Sequence, residues 1–550
     1  MDDSRDDDLE DDSSRPLLAD EAASDPSFRP NFPHKISRSQ FYAALPALVL
    51  GILLYAADNI LELAAFPRIG SELHQLRHVA WLSITYGVSV AAVQPLYSRL
   101  SDIYGRKTLL LASYMFFTVG IILCAISYNF WMLVIARLVV GAGAAGLGYM
   151  VSLIFNDIIS LQDRSSWQSA LQFFVFTGQL IGGTMGGLVV DRIGWRWAFA
   201  LELPVAILGF VFVFITVQLP PLPSQRIQID QPGDSIVRPQ QKLSFDIYGA
   251  MALASFVATL VLALSMGGND VPWSHPAIPT LLVLSGLSFV FFLIIERRTL
   301  DTPLVPLYLV VRRSIWPLFV ITFFKDMAFM TLLYLTSLYS NLTGHRTTTV
   351  GGLLVTTIAI GTAAGNLVAG LYIRRFGRLK DLLIGSMVML LAAAIAIRLR
   401  WNGSEPVVEA GSEILVCGIC NGIIIGTLLV GLLKSVDSTD KAAAYGALHL
   451  CTAVANLVAL SVITAITQSR SRLYMAEALR DRNAENIPEI ITACVESLQC
   501  LEALPPYIQV AVRESYVKGI SDGFTFICVN VLVSFLFSLV TSNYKINAEE

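Results

Sequence analysis

The decisive stretch reads Ser98-Arg99-Leu100-Ser101-Asp102-Ile103-Tyr104-Gly105-Arg106-Lys107, a short charged turn between two long apolar runs. The runs before and after it, residues 80–96 and 108–127, are each long enough to cross a bilayer as a helix, because a helix rises about 1.5 Å per residue and the hydrocarbon core is about 30 Å thick. The turn must therefore lie at a membrane surface. Its cations, Arg99, Arg106 and Lys107, indicate by the positive-inside rule that this surface is cytosolic.

The composition of the whole chain agrees with a membrane location. Of its 550 residues, 55% are hydrophobic and only 15% are charged, whereas soluble proteins carry about 25% charged residues. Acidic residues are concentrated in positions 1–26, and the Lys and Arg of the remaining chain lie largely in short loops. This distribution of charge does not support a role in nucleic-acid binding. We expect no cofactor and no metal, because the single Cys-x-x-Cys, Cys417 to Cys420, lacks a second pair.

Apolar runs recur fourteen times along the chain, and helix is the state that satisfies their backbone in lipid. The sequence therefore predicts an all-α polytopic membrane protein of fourteen transmembrane helices, with both termini cytosolic. Residues 370–378 repeat the frame of the opening turn, which predicts two related halves. We expect a disordered acidic tail at 1–40, a six-helix bundle at 41–220, a linker with two inserted spans at 221–313, and a second six-helix bundle at 314–545 with a long lumenal loop at 468–520.

Several motifs carry a family resemblance. The opening turn resembles the G-x-L-(A/S)-D-R-x-G-R-K loop of the major facilitator superfamily. Other positions resemble the fourteen-span drug:H+ antiporter family, which includes fungal vacuolar basic amino acid transporters: Arg137 and Gly141 of R-x-x-Q-G, the glycines Gly178, Gly182, Gly186 and Gly187, and the Trp-Arg-Trp-Ala-Phe of residues 195–199. The resemblance implies a major facilitator fold, a non-enzymatic antiporter, and a conformational latch formed by Asp102, Gly105, Arg106 and Lys107.

A few charged residues interrupt the apolar runs. A charge at mid-bilayer costs about 2.5–3.5 kcal/mol on insertion scales, so such residues normally face a cavity and have a function there. We predict proton coupling at Asp58 and Arg137, because a desolvated carboxylate can bind and release a proton and a nearby guanidinium can drive the release. The predicted substrate cavity contains Glu62, Glu202, Lys325, Asp326 and Asn456.

Structural alternatives stay open for some of these residues. Glu62 lies near the outer end of its span and could simply be hydrated, and Lys325 with Asp326 could be a structural pair. The four glycines could serve close helix packing, and Asn456 could hydrogen-bond between helices. ATP-driven transport is disfavoured, because the chain has no glycine-rich nucleotide loop followed by Lys-Ser or Lys-Thr.

Location and modification can also be predicted. The segment from Asp12 to Leu18 resembles an acidic dileucine signal of vacuolar membrane proteins, although a chance Leu pair is the alternative. Asn341 and Asn402 begin glycosylation sequons in predicted non-cytosolic loops. Cys494 and Cys500 lie in the predicted lumenal loop, where they could form a disulfide or remain free thiols.

These observations predict a monomeric proton-coupled antiporter in the vacuolar membrane, with lipid, protons and a small-molecule substrate as its partners. Uptake of basic amino acids into the vacuole is the first hypothesis. Efflux of a drug or toxic metabolite at the plasma membrane is the alternative. A solute-sensing transceptor that signals through the acidic tail is the third, and it would lose signalling on deletion of that tail.

Asp102→Asn tests the latch. The variant is expected to fold normally but to transport more slowly, because it removes a negative charge that a helix N-terminus or a cation uses in one conformation. The measurement is the initial transport rate, normalised to the amount of protein in the membrane. Unchanged turnover at normal abundance would contradict the latch role and leave the loop only its role in membrane topology.

Overall fold

The computed structural model describes residues 38–158, 164–217, 247–267, 271, 273–298, 307–343, 347–403, 405–436, 441–481, 487–496, 500 and 504–541. The acidic tail up to residue 37, its dileucine segment and the linker at 218–246 lie outside the described residues. Within the described ranges, fourteen helices are long and apolar enough to cross a membrane. The predicted all-α class and number of spans are therefore confirmed.

The first half contains six spans. Its helices are α1 (Arg38–Glu72), α2 (Trp81–Tyr104), α3 (Arg106–Ile126), α4 (Phe130–Ile158), α5 (Arg164–Ile193), α6 (Trp195–Ala200) and α7 (Glu202–Thr216). The sixth span is divided, because α6 ends and α7 begins on either side of Leu201. This division puts Glu202 in the first turn of α7, inside the span Trp195–Thr216.

The rest of the chain supplies eight spans. The inserted pair is α8 (Ile247–Met266) and α9 (Ala277–Arg298), and a short α10 (Leu307–Val310) precedes the second half. The second half consists of α11 (Trp316–Leu342), α12 (Thr348–Phe376), α13 (Leu379–Arg400), α14 (Val407–Lys434), α15 (Lys441–Asp481), α16 (Ile487–Glu496) and α17 (Pro506–Val540).

Two predicted boundaries differ from the structure. Helix α1 already begins at Arg38, within the segment expected to be tail. Much of the expected loop at 468–520 is helical, because α15 continues to Asp481 and α17 already begins at Pro506. Apolar runs mark where a helix can enter lipid, but charged and polar helix-forming residues continue the same hydrogen-bond ladder beyond the membrane.

The inserted hairpin lies where the two halves meet. Helix α8 packs against α2 of the first half and α15 of the second, while α9 packs against α8. Ser265 of α8 donates a hydrogen bond to Ser461 of α15 over 3.0 Å, and both side chains are buried. The pair is thus docked on the bundle through α8, and much of the surface of α9 remains exposed.

The halves contact one another at one end of the bundle, which we call the closed end. It lies where α1, α5 and α11 end and where α12 begins, opposite the amino terminus. Ser337 of α11 donates to the carbonyl oxygen of Leu63 in α1 over 2.6 Å. Asp191 of α5 accepts hydrogen bonds from the backbone amides of Thr348 and Thr349, at 3.1 and 2.6 Å. This carboxylate therefore caps the N-terminus of α12 across the interface.

Glycines allow α5 and α12 to cross closely at this end. A Cβ atom on Gly352 would lie 2.0 Å from the carbonyl oxygen of Gly183, and one on Gly187 would lie 2.8 Å from the carbonyl oxygen of Thr348. No side chain fits at such a separation. The closed end therefore depends on the absence of side chains at these positions as much as on its hydrogen bonds.

Gly352→Ala is expected to weaken the closed end, because its methyl group meets the backbone of α5. The matched control is Gly370→Ala on the same helix, where a Cβ would meet no atom within 4 Å and Ala is favoured over Gly by roughly 0.5–1 kcal/mol. Accessibility of a cysteine introduced at Ser337 to a membrane-impermeant thiol reagent, in a background without native cysteines, reports the change. Equal labelling in both alanine variants would contradict this role for Gly352.

Candidate functional site

A buried charge cluster occupies the interior of the first half. Arg137 of α4 donates from Nη1 to Asp58 Oδ1 and from Nη2 to Glu62 Oε2, each at 2.7 Å. The three side chains have relative exposures of 0%, 0% and 1%. The two carboxylates share one face of α1 because they are four residues apart. The guanidinium fork therefore joins two acids at once, a geometry that a lysine ammonium does not reproduce.

Aromatic rings and a hydroxyl complete the surroundings of Arg137. The centroid of the Tyr86 ring lies 4.6 Å from the guanidinium carbon, and that of Phe199 lies 5.8 Å from it. Ser83, on the same helix as Tyr86, donates to Glu62 Oε2 over 3.1 Å. Gly141 permits this approach of α2 to α4, because a Cβ there would lie 2.5 Å from the carbonyl oxygen of Tyr86.

Glu202 adds a third carboxylate to the cluster. Its side chain is buried and interacts electrostatically with Asp58, Glu62 and Arg137. Neither of its carboxylate oxygens has a hydrogen-bond donor among the described residues. Two acids thus bind the guanidinium directly and a third interacts with it electrostatically, all of them buried, so full ionisation would leave an excess of negative charge.

The structure brings four of the predicted charged residues together here and excludes one open interpretation. Glu62 is not hydrated at the outer end of its span, because it is a direct partner of Arg137. Tyr86 and Ser83 were not predicted. A tyrosine and a serine in an apolar run are common, and only the tertiary fold directs both toward the charges.

Lys325 and Asp326 form a separate site in the second half. Lys325 Nζ pairs with Asp326 Oδ1, and both residues are buried. Asp326 Oδ2 accepts a hydrogen bond from Thr452 of α15 over 2.7 Å. Asn456 lies one turn beyond Thr452 and is half-buried. The second half therefore carries its own buried acid, already paired with a cation.

The four predicted glycines of α5 divide between two faces. A Cβ on Gly178, Gly182 or Gly186 would approach α1, at 2.6 Å from Leu53 O, 2.2 Å from Ala57 O and 2.9 Å from the Leu61 side chain. Gly187, by contrast, faces α12 of the other half. The packing interpretation fits all four, since each allows a close helix contact.

The predicted latch is described in part. Gly105 joins α2 to α3 with φ = +91°, a conformation that favours glycine. Arg106 hydrogen-bonds to Ser101, and Lys107 donates over 2.8 Å to the carbonyl oxygen of Phe214 in the last turn of α7. A cation at a helix C-terminus is stabilising. The side chain of Asp102 lies outside the described residues, so its latch role stays a prediction.

The predicted modification sites differ in their surroundings. Asn402 is exposed, whereas the amide nitrogen of Asn341 donates to the Ser337 carbonyl oxygen over 2.9 Å. The sulfur atoms of Cys494 and Cys500 lie 2.9 Å apart as free thiols. Burial raises the pKa of the Cys494 thiol, which keeps it protonated. Glycosylation and a disulfide both stay predictions.

Comparison with known proteins identifies the family. The model of the Major Facilitator Superfamily matches residues 48–460, more than half of the chain. The chain belongs to the major facilitator superfamily. It is therefore a membrane transporter of small molecules, and the predicted resemblance and fold are confirmed.

Three fungal proteins named for transport or drug resistance align with most of this transporter. The vacuolar membrane amino acid uptake transporter fnx2 of Schizosaccharomyces pombe is 28% identical over 521 residues, which cover 93% of this chain and 88% of that protein. The multidrug resistance protein fnx1 of the same organism is 28% identical over 500 residues, covering 90% and 92%. The efflux pump LUC4 of a Fusarium species is 27% identical over 434 residues, covering 77% and 72%.

Solved structures support the fold. A bacterial homologue of the human lysosomal transporter Spinster, in an inward-facing and occupied conformation, gives a TM-score of 0.61 at 13% identity and covers 92% of this chain and 98% of that one. A D-xylose–proton symporter gives 0.57 at 13% identity, covering 84% and 96%.

Arg137→Gln is expected to destabilise the folded transporter by about 3–5 kcal/mol, because it leaves two buried carboxylates without their cation. The matched control is Arg378→Gln, since the Arg378–Asp381 pair is 69% and 63% exposed and exposed pairs contribute about 0–1 kcal/mol. Thermal unfolding of both purified variants provides the measurement. A loss no greater than that of the control would show that the cluster contributes little to stability.

Proposed function

We propose that this transporter is a proton-coupled antiporter that moves basic amino acids into the vacuole. The observation that carries the proposal is the ratio of three buried carboxylates, Asp58, Glu62 and Glu202, to a single guanidinium. A buried ionised carboxylate without donors costs several kcal/mol. At least one acid in the cluster is therefore expected to hold a proton while the cluster is closed to water.

Proton release then follows from hydration of the cluster. Asp58 and Glu62 pair through one guanidinium, so a shift of α1 against α4 changes both ion pairs together. Water that enters during such a shift stabilises the charged forms of the acids, and the proton leaves. Rocking of the two halves would open the cluster to one side and then the other, which is the requirement for exchange.

The position of the closed end supports entry of the solute from the cytosolic side. If the amino terminus is cytosolic, as the charge pattern predicts, the closed end faces the lumen and the present conformation opens toward the cytosol. A cytosolic solute would enter from that side. The substrate assignment draws on the buried acids, which suit a cationic solute, and on the name of the vacuolar amino acid relative.

Efflux of drugs or toxic metabolites at the plasma membrane is the second candidate. It is favoured by the relatives named as a multidrug resistance protein and an efflux pump. Uptake of labelled Lys, Arg and His into isolated vacuoles separates the two candidates. Uptake above that of vacuoles lacking the protein supports the first, and no uptake by abundant vacuolar protein contradicts it.

Asp58→Asn is expected to abolish solute-driven proton movement, because an amide cannot exchange a proton. The assay uses the purified protein in vesicles with an imposed pH gradient and a pH-sensitive dye, with Lys, Arg and His as solutes. Asp381→Asn is the matched control, since that carboxylate is 63% exposed. Wild-type proton movement in Asp58→Asn would exclude Asp58 as the proton site.

Glu202→Gln separates coupling from solute binding in the same assay. If Glu202 receives the cationic solute, the variant raises KM while proton movement persists at saturating solute. Loss of proton movement with an unchanged KM would instead assign the exchanged proton to Glu202.

A further inference from the structure

The ion pair in the second half has an unusual arrangement. Lys325 and Asp326 are consecutive residues of α11, and consecutive helical side chains do not face one another. The two nevertheless pair, so the long lysine stem must bend toward its neighbour. Lysine has a flexible four-carbon stem and a compact charge, which allows its ammonium to exchange partners.

A second polar group lies within the surroundings of Lys325. The side chain of Lys325 lines an internal cavity between α11, α13, α14 and α17, and Asn421 of α14 lines the same cavity. Asn421 is 2% exposed, and neither its amide oxygen nor its amide nitrogen has a hydrogen-bond partner among the described residues. Buried amides are normally hydrogen-bonded. Another conformation of the transporter could therefore supply the hydrogen-bond partner that Asn421 lacks in this one.

Asp326 contacts helix α15, whereas Lys325 lines the cavity. Its second oxygen is held by Thr452 of α15, the helix that also contacts α2 of the other half. His449 lies one turn before Thr452 and interacts electrostatically with Asp326. Its ring packs edge-on to Tyr445, with centroids 4.5 Å apart. Helix α15 thus places two polar side chains, Thr452 and His449, beside the carboxylate.

We propose that Lys325 is a tethered cation that neutralises Asp326 in the unloaded transporter and is displaced by the cationic solute. On displacement, the ammonium moves into the cavity and donates to Asn421 Oδ1. The solute's cation then takes its place between Asp326 and Thr452. The inference rests on the proposed function for the charge of the solute, but it concerns a different group from the proton site.

This exchange keeps the buried acid paired throughout the cycle. In each exchange cycle the transporter must change conformation once with solute and once with a proton in its place. Without Lys325, Asp326 would be an unpaired buried carboxylate during the second of these steps. With Lys325, the charge of Asp326 is compensated in both steps. The same competition lowers the apparent affinity for solute, because the solute must replace an internal cation that is always present.

Lys325→Met tests this competition in the full-length protein. We expect the variant to bind L-lysine and L-arginine at least about tenfold more tightly than the wild type. The reason is that the cation of the solute no longer competes with an internal ammonium for Asp326. Its maximal exchange rate is expected to fall. Lys434→Met, on an exposed lysine at the end of α14, should leave affinity unchanged. Thermal stabilisation of the purified protein by each amino acid reports binding, and vesicle exchange reports rate.

Two further variants complete the test. Asn421→Leu is expected to weaken binding several-fold while the solute-free protein stays as stable as the wild type, because only the displaced lysine needs that amide. Lys325→Met with Asp326→Asn removes both charges together and should fold but bind neither amino acid, which separates misfolding from loss of the site.

The outcomes distinguish this inference from the proposed function. Lys325→Met that folds and binds L-lysine and L-arginine no more tightly than the wild type overturns the tethered-cation role, whatever the wild type transports. Tighter binding with no solute-linked proton movement in the wild type supports the tethered cation and overturns proton coupling instead.

Discussion

The contact on which the first half depends is the fork of Arg137 between Asp58 and Glu62. A guanidinium in the middle of a membrane bundle is tolerated only when its charge is compensated, and two carboxylates at 2.7 Å compensate it. The same contact fixes α1 against α4. It also leaves both carboxylate oxygens of Glu202 without a hydrogen-bond donor among the described residues, and the proposal of proton coupling rests on this imbalance. Stability and the proposed coupling therefore depend on one set of charges, so a variant that affects one is expected to affect the other.

The two halves use their buried charges differently. In the first half, one cation from α4 reaches two acids on α1, so relative movement of the helices changes the pairing. In the second half, the cation and acid are neighbours on α11, and the third partner, Thr452, comes from α15. Helix movement there changes what else can reach Asp326 without separating it from Lys325. The proposals accordingly assign proton exchange to the first half, where Glu202 is also tested as a contact for the solute, and displacement of an internal cation to the second.

The interface between the halves suits a part that must open and close. At the closed end, Asp191 caps α12, and Gly183 and Gly352 bring backbones into contact. These contacts are short-ranged and involve few side chains, which suits the opening proposed for this end. The inserted hairpin touches both halves through α8. In the proposed rocking of the halves, the hairpin would slide on α2 or on α15.

The sequence by itself determined the class of this protein, the number of its spans and its family, because the length and apolarity of each run decide whether a helix can cross lipid. It also identified Asp58, Glu62, Arg137, Glu202, Lys325 and Asp326, since a charge within an apolar run is conspicuous without any structure. It underestimated α15 and α17, whose helices continue where apolarity ends. Only the tertiary structure decided which charges meet, because Asp58 and Arg137 are far apart in sequence and their distance depends on how α1 packs against α4. The roles of Asp191, Gly352 and Asn421 likewise became visible only in the fold, since an acid at a helix end, a glycine and an asparagine acquire meaning from the backbone or cavity opposite them.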